Sequence, residues 1–469
     1  MATQMTIMFR LFFGNFSRSW PVLTAITILC CSPISIRADE VALRAQIEAL
    51  QAENAALREQ LAGCVAQVQK GDSAGTTALG LLRKLATQQQ DTAEMATGLA
   101  SGPLILPEAL LRSVVPNEYI VLLENGAQLP SNATEVSTLY GVPEAQVLHV
   151  YAQALSGFAV RLSEEERETL NTLTGIAGIV QNGRVFSTGA LSKSPKLHPS
   201  SLTPLRTASH QKKIDVYLFD TGIRGAHSDL QGRVAKLGFS FFDNGIAGED
   251  CAGHGTHVAA RIAGNRLGIS RSALLTSVKV IDRFGTGDVA TVIAGIDWVM
   301  AQAGDLKLVN MSLTRMVTED PAPLDMAVNA LIDSGAIVVV AAGNSAADAL
   351  DFTPARVARA ITVGSSKGAA LSDFSNAGTG VDLYAPGEAV ISASIRDICG
   401  VQEMSGTSMA APFVTGLIAD MLSAGTPREE IEENLRTNAT RVSTGAFAGE
   451  TERYNLEPRP DLAAFACLD

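Results

Sequence analysis

An aspartate, a histidine and a serine, each set beside glycine where an apolar run begins or ends, are the residues of this chain best suited to chemistry. Asp220 closes the run Ile214-Asp-Val-Tyr-Leu-Phe-Asp and precedes Thr-Gly-Ile223. His254 stands in Gly253-His-Gly-Thr-His257-Val-Ala-Ala, and Ser408 in Ser405-Gly-Thr-Ser-Met-Ala-Ala-Pro412. A serine hydroxyl is a poor nucleophile at neutral pH and needs an imidazole to take its proton as it attacks a carbonyl. The imidazole in turn needs a carboxylate to hold its other nitrogen protonated and to stabilise the imidazolium. Asn344, at the end of Val338-Val-Val-Ala-Ala-Gly-Asn, supplies a fourth part. Its amide can donate to the oxyanion of the transition state, beside the backbone N–H of Ser408.

Residues so far apart in the chain must be brought together by the elements that carry them. An acid at the carboxyl end of a buried parallel strand is where α/β folds place functional groups, and Asp220 has that setting. His254 and Ser408 each open a helix. Apolar strands such as Ala336 to Ala341 alternate with helices such as Val289 to Ala303 and Ser408 to Leu422, a rhythm that predicts a parallel sheet with helices on both faces. His257, one turn into its helix, reads as a packing or hydrogen-bonding residue, and Asp215 and Asp229 as cap or turn residues. Ahead of this domain, Tyr119 to Leu123, Val147 to Val150 and Gly157 to Leu162 read as strands. Ser163 caps a helix with early glutamates, and Gly175 to Val180 returns as a strand, making a small α+β unit.

The blocks DTGI, GHGTHVA, VNMSL from Val309, VVAAGN, LSDFSNAG from Leu371, LYAPG from Leu383 and GTSMAAP occur in one order, and together they resemble the subtilisin-like serine proteases. The spacing after Asn344 is most similar to the proteinase K-like branch. The small domain, with YIVLL and GFAVRLSEEE, resembles that family's inhibitor-type propeptide. The resemblance implies Asp220, His254 and Ser408 as the triad, Asn344 as the oxyanion donor, and Ser312, Leu313, Thr314, Ala342 and Gly343 as substrate-binding residues. It also implies that the propeptide lies across the cleft and that the chain cuts itself between about Arg184 and Gln211. Two departures stand out. Thr314 occupies a place where the family usually has glycine, which narrows the S1 entrance, and Arg315 follows it with a charge suited to acidic groups of substrate or propeptide. Arg283 stands where relatives carry a partner for the cysteine at the position of Cys251, leaving that cysteine unpaired or paired with Cys399 or Cys467.

With 46% apolar and 18% charged residues the chain is globular, and 41 glycines with 5% aromatics suit an α/β enzyme rich in tight turns. A net charge of -12 implies no basic surface to neutralise phosphates, which argues against a nucleic-acid partner. Arg10 and Arg18 precede an apolar run from Trp20 to Cys31, and Ile36-Arg37-Ala38 offers a cut before Asp39, so residues 1–38 read as an export signal, with a membrane anchor as the alternative. Residues 39–69 read as a coiled-coil helix: Leu43, Leu50, Leu57 and Cys64 alternate with Ile47, Asn54, Leu61 and Val68 at heptad spacing, a seam suited to a homodimer through 41–69. The remaining divisions are a linker at 70–115, the propeptide at 116–186, a linker with the processing site at 187–208, the catalytic domain at 209–438 and an extension at 439–469.

The expected activity is that of a secreted serine endopeptidase working through an acyl-enzyme and made as a self-processing precursor, acting on polypeptides and held by its own propeptide. No cofactor is needed for the chemistry. Calcium is the candidate structural metal, with Asp243 and Asp250 as acidic loop residues, although no self-contained calcium loop is present. The alternatives are an inactive binding scaffold of the same fold and a protease tethered to a membrane within a surface complex.

Overall fold

The structure, a computed structural model, describes residues 111–191, 212–242, 248–304, 306–317, 322–368, 370–442 and 453–455. The export signal, the coiled-coil helix and most of the first linker lie outside the described residues.

The N-terminal part contains strand β1 (Val114–Leu123), helix α1 (Ala133–Tyr140), β2 (Val147–Tyr151), β3 (Gly157–Arg161), α2 (Glu164–Leu170) and β4 (Ile176–Ser187), followed by the short β5 (Ala190–Leu191). Local chemistry sets the helix ends. Asn132 accepts the Glu135 N–H at the start of α1, and Gly141, at φ 70°, ends it in a left-handed turn. Ser163 and Glu166 form a reciprocal capping box on α2. Strand β1 pairs antiparallel with β3 and β4, and β2 pairs with β3. Tyr119, Val121, Phe158, Val160 and Leu170 form a small core beneath α1 and α2.

The larger part begins with β6 (Ile214–Asp220), β7 (Val234–Ser240), α3 (His254–Ala263), β8 (Ala273–Lys279), β9 (Thr286–Asp288) and α4 (Val289–Met300). It continues with β10 (Leu308–Met311), β11 (Leu313–Met316), α5 (Pro323–Asp333), β12 (Ile337–Ala341), β13 (Phe352–Thr353), β14 (Ile361–Lys367), β15 (Ala370–Leu371) and β16 (Leu383–Pro386). Then come β17 (Val390–Ala393), β18 (Val401–Ser405), α6 (Thr407–Ser423), α7 (Ile431–Thr437), β19 (Thr440–Val442) and β20 (Arg453–Asn455).

The central sheet runs β20-β16-β14-β12-β10-β6-β8-β7 with parallel pairing throughout. Side chains alternate across it, as strand geometry requires. Val216 and Leu218 of β6 enter one core with Val258 and Ile262 of α3 and Val414 and Ile418 of α6. Tyr217 and Phe219 enter the other with Val292 and Ile296 of α4 and Leu331 of α5. Burying one such side chain contributes roughly 1.5–3 kcal/mol, so packing on both faces fixes the strand that ends in Asp220.

Three boundaries differ from the sequence reading. Strand β1 starts at Val114, inside the stretch read as linker. Strand β4 runs seven residues past the expected Val180 end, because two strand edges of the larger part pair with it: Arg184 to Phe186 face β9, and Phe186 and Ser187 face β11. One sheet, in the order β13-β11-β4-β1-β3-β2 with β9 also on β4, therefore crosses both parts. Finally, the C-terminal extension is not wholly separate: β20 joins β16, and β19 pairs with β20.

Candidate active site

Asp220 is the last residue of β6 and His254 the first of α3, and both are buried. His254 Nδ1 lies 2.7 Å from Asp220 Oδ1, which also accepts the Thr221 N–H at 2.7 Å. This contact depends on glycine. A Cβ on Gly255 would come within 2.1 Å of the Gly222 carbonyl oxygen and 3.0 Å of Asp220 Oδ1, so a side chain there would push the helix start away from the acid. Gly253 at φ 99° turns the chain into α3. His254 Nε2 is buried and makes no hydrogen bond.

Ser408 is the second residue of α6, fully buried, and follows Gly406 at φ 156°. What faces it is the chain's own Thr188, one residue beyond β4. Ser408 Oγ accepts the Thr188 N–H at 3.1 Å, pairs with the Thr188 hydroxyl, and donates to the Ser312 carbonyl at 3.2 Å. The Thr188 carbonyl accepts from Asn344 Nδ2 at 2.7 Å and from the Ser408 N–H at 3.4 Å. The next residue, Gly189, lies against the imidazole: a Cβ there would be 2.8 Å from His254 Nε2. The Thr188–Gly189 peptide thus touches Ser408, Asn344 and His254 at once.

The Asn344 amide is held by its other end. Its Oδ1 accepts from the Thr407 N–H at 2.9 Å and the Thr407 hydroxyl at 2.8 Å, leaving the NH2 to face the Thr188 carbonyl. Asn376, in the LSDFSNAG block, carries a function that the sequence reading did not assign. It donates to the Ala342 carbonyl and accepts the Ser345 and Ala347 N–H groups, bracing the turn that presents Asn344. Its presence in a family block was the available signal.

The other predicted residues sort as follows. Ser312, Leu313 and Thr314 lie along the groove: the Thr188 N–H is 3.4 Å from the Ser312 carbonyl, and Leu313 and Thr314 are in register with Ser187 and Phe186. Ala342 and Gly343 are buried on the side of Asn344. His257 is fully buried, with Nε2 3.1 Å and 3.2 Å from the Val390 and Gln402 carbonyls, and burial together with His254 pushes its imidazole down to about 3. It is a neutral structural group. Asp229 accepts the Arg266 and Leu267 N–H groups in a turn, whereas Asp215, read as a cap or turn residue, is an exposed position within β6. Arg315 is fully buried rather than presented to solvent, with its guanidinium against Gly183, where a Cβ would be 2.3 Å from Cζ.

Asp243 lies outside the described residues. The Asp250 carboxylate accepts five hydrogen bonds, from the Thr221 and Thr256 hydroxyls and the N–H groups of Ala252, Gly253 and Thr256. That donor set braces the Asp220 and His254 loops. Among the described residues no cluster of three acidic, histidine or cysteine groups is placed to hold a metal. Cys399 is disulfide-bonded. Among the described residues, no helix is long and apolar enough to cross a membrane.

A family model described as Subtilase family matches residues 211–454, and one described as Peptidase inhibitor I9 matches residues 118–187. The chain is 33% identical to an alkaline serine exoprotease A of Vibrio alginolyticus, over 79% of this chain and 73% of that one. It is 35% identical to an extracellular serine proteinase of a Thermus species, over 69% and 84% of the two chains. With a cuticle-degrading protease of Metarhizium anisopliae it shares 32% identity, over 74% and 90%. A solved cold-adapted subtilisin-like serine proteinase aligns at 34% identity with a TM-score of 0.48, covering 56% of this chain and 92% of that one.

Proposed function

Since the chain belongs to the Subtilase family of serine endopeptidases and carries an inhibitor I9 propeptide, we propose that it is secreted as a precursor that cuts its own Thr188–Gly189 bond and then hydrolyses other polypeptides in the same groove. The observation that carries this reading is the Thr188 carbonyl, which receives hydrogen bonds from both Asn344 Nδ2 and the Ser408 N–H. Secretion is supported by the export-type segment at 1–38 and by the Thermus relative described as extracellular.

The proposed chemistry needs no cofactor. Ser408 Oγ forms a bond to the carbonyl carbon while His254 Nε2 takes its proton. The charge that develops on the carbonyl oxygen is met by Asn344 Nδ2 and the Ser408 N–H, donors already in position and therefore effective without reorganisation. Asp220 Oδ1, at 2.7 Å from Nδ1, holds the tautomer with Nε2 free to accept and then stabilises the imidazolium. When the C–N bond breaks, His254 returns the proton to the departing amine, here that of Gly189, which lies beside its ring. Water activated by the same imidazole then hydrolyses the ester on Ser408.

The test is to express the precursor, treat it with a fluorophosphonate and measure intact and peptide masses. The expected result is a catalytic chain that begins at Gly189 and carries one adduct on Ser408. The adduct should be lost in His254→Ala, and the precursor should stay whole in Ser408→Ala. A folded chain that neither reacts nor cleaves would overturn the reading.

A further inference from the structure

The residue before the cut enters a slot with one wall from 312–314 and the other from 342–344. Thr188 is tied to the first wall through the Ser312 carbonyl and to the second through Asn344. Leu313 turns into the core, and Thr314, the next residue of β11, is 2% exposed with its Oγ1 buried and making no hydrogen bond. Opposite it Gly343, at φ 104°, has no side chain, and a Cβ there would sit 3.5 Å from Thr314 Oγ1 and 2.3 Å from Asn376 Nδ2. The Thr314 side chain therefore approaches the far backbone at Gly343, and the Asn376 amide fills the space beside Gly343 where a side chain would stand. Asn376 is pinned by its bond to the Ala342 carbonyl, so the far wall has little room to retreat. Thr188, whose backbone bonds to both walls, is itself small.

We infer that Thr314 shuts the S1 pocket to large side chains, so that the enzyme cuts after small residues such as alanine, serine or threonine and discriminates against leucine and phenylalanine. This rests on the peptidase reading above and deepens it by naming the class of bond. Volume sets the limit, and the unpaired hydroxyl of Thr314 does not.

The test uses the self-processed enzyme and peptide p-nitroanilides that differ only at P1. Wild type should show kcat/KM for alanine at least about tenfold above phenylalanine, the scale on which pocket volume discriminates. Thr314→Gly should raise the phenylalanine value relative to alanine by about tenfold or more, and the isosteric Thr314→Val should keep the wild-type order. A second measurement does not require a change on β11: the precursor Thr188→Phe should process at least about tenfold more slowly than Thr188→Ala. Wild type that accepts phenylalanine as readily as alanine, or a Thr188→Phe precursor that processes at the Thr188→Ala rate, overturns the inference while leaving the peptidase reading intact. Absence of hydrolysis of any substrate by wild type overturns both.

Discussion

The two sides of the Thr188–Gly189 bond are held in different ways. On the N-terminal side, residues 184–187 lie between two strands, β9 and β11. Val185 and Phe186 are buried, and the fully buried Asn182 donates to Glu118 and Asp288 and accepts the Ala290 N–H. Farther back, the carboxylate of Asp297 on α4 accepts three successive N–H groups, from Ala152, Gln153 and Ala154, and Tyr151 donates to the Ala290 carbonyl. On the C-terminal side, Ala190 and Leu191 pair, among the described residues, with β18 alone. The proposed cleavage would therefore leave the N-terminal product anchored along a groove and across a domain face, and would free a new N-terminal end of the enzyme that is held at one strand edge among the described residues. The asymmetry teaches that cutting the bond and ending the inhibition are separate events.

Asn344→Ala separates them most sharply. Processing and kcat should fall about 10²- to 10³-fold, the range established for such a donor in subtilisin, while KM barely moves, because the strand pairing on the N-terminal side is untouched. Stopped-flow and steady-state kinetics read both quantities. Asp297→Ala attacks the strongly held side. Losing hydrogen bonds to a charged acceptor should weaken inhibition by added propeptide at least about tenfold, with kcat unchanged in a titration of the processed enzyme.

Thr188→Val acts at the junction itself. In the precursor the Thr188 hydroxyl occupies Ser408 Oγ while His254 Nε2 has no partner, so removing the hydroxyl should free the nucleophile and speed processing about fivefold, followed by gel densitometry over time.

The smallest effect expected is of pH. His149 of β2 meets the Phe241 ring of the larger part at a tilt, and burial holds its imidazole below the ordinary histidine value, against the opposing pull of Asp288 and Glu118. Arg161, Arg184 and Asp282 line the same cavity. A group that docks neutral with a lowered value contributes fully above the free histidine value near 6.5 and loses that contribution as pH falls below it. Propeptide affinity should therefore decline on acidification through that range, and His149→Gln should flatten the curve. A wild-type curve already flat would remove His149 from the account.

Much of the chemistry was legible in sequence because each part is local. The acid closes a seven-residue strand, and the histidine and serine each open a helix beside glycine, so type and setting can be read within a dozen residues. Thr188 was not legible. Ser187 to Gln211 looks like a polar linker, and the strand that runs into it through residues 184–187 is fixed by edges at 286–288 and 313–314 that only the fold brings near. The same holds for β20, whose partner β16 lies far back in the chain. Helix α1 was passed over although its signals, Asn132 before it and Gly141 after it, were present, since eight residues give too little periodicity.

The sheet that crosses both parts has a mechanical consequence. Because β4 lies beside β1 at one end and between β9 and β11 at the other, the plug in the groove is the free end of a lever whose fulcrum is a domain of about 70 residues with a modest core. Once the Thr188–Gly189 bond is cut, only non-covalent contacts hold that small domain to the enzyme it blocks. Any blow that melts it, such as a nick in the exposed α2 segment by a neighbouring copy, releases the whole lever at once. Activation of a population should then be slow at first and accelerate as the first open molecules unseat the rest.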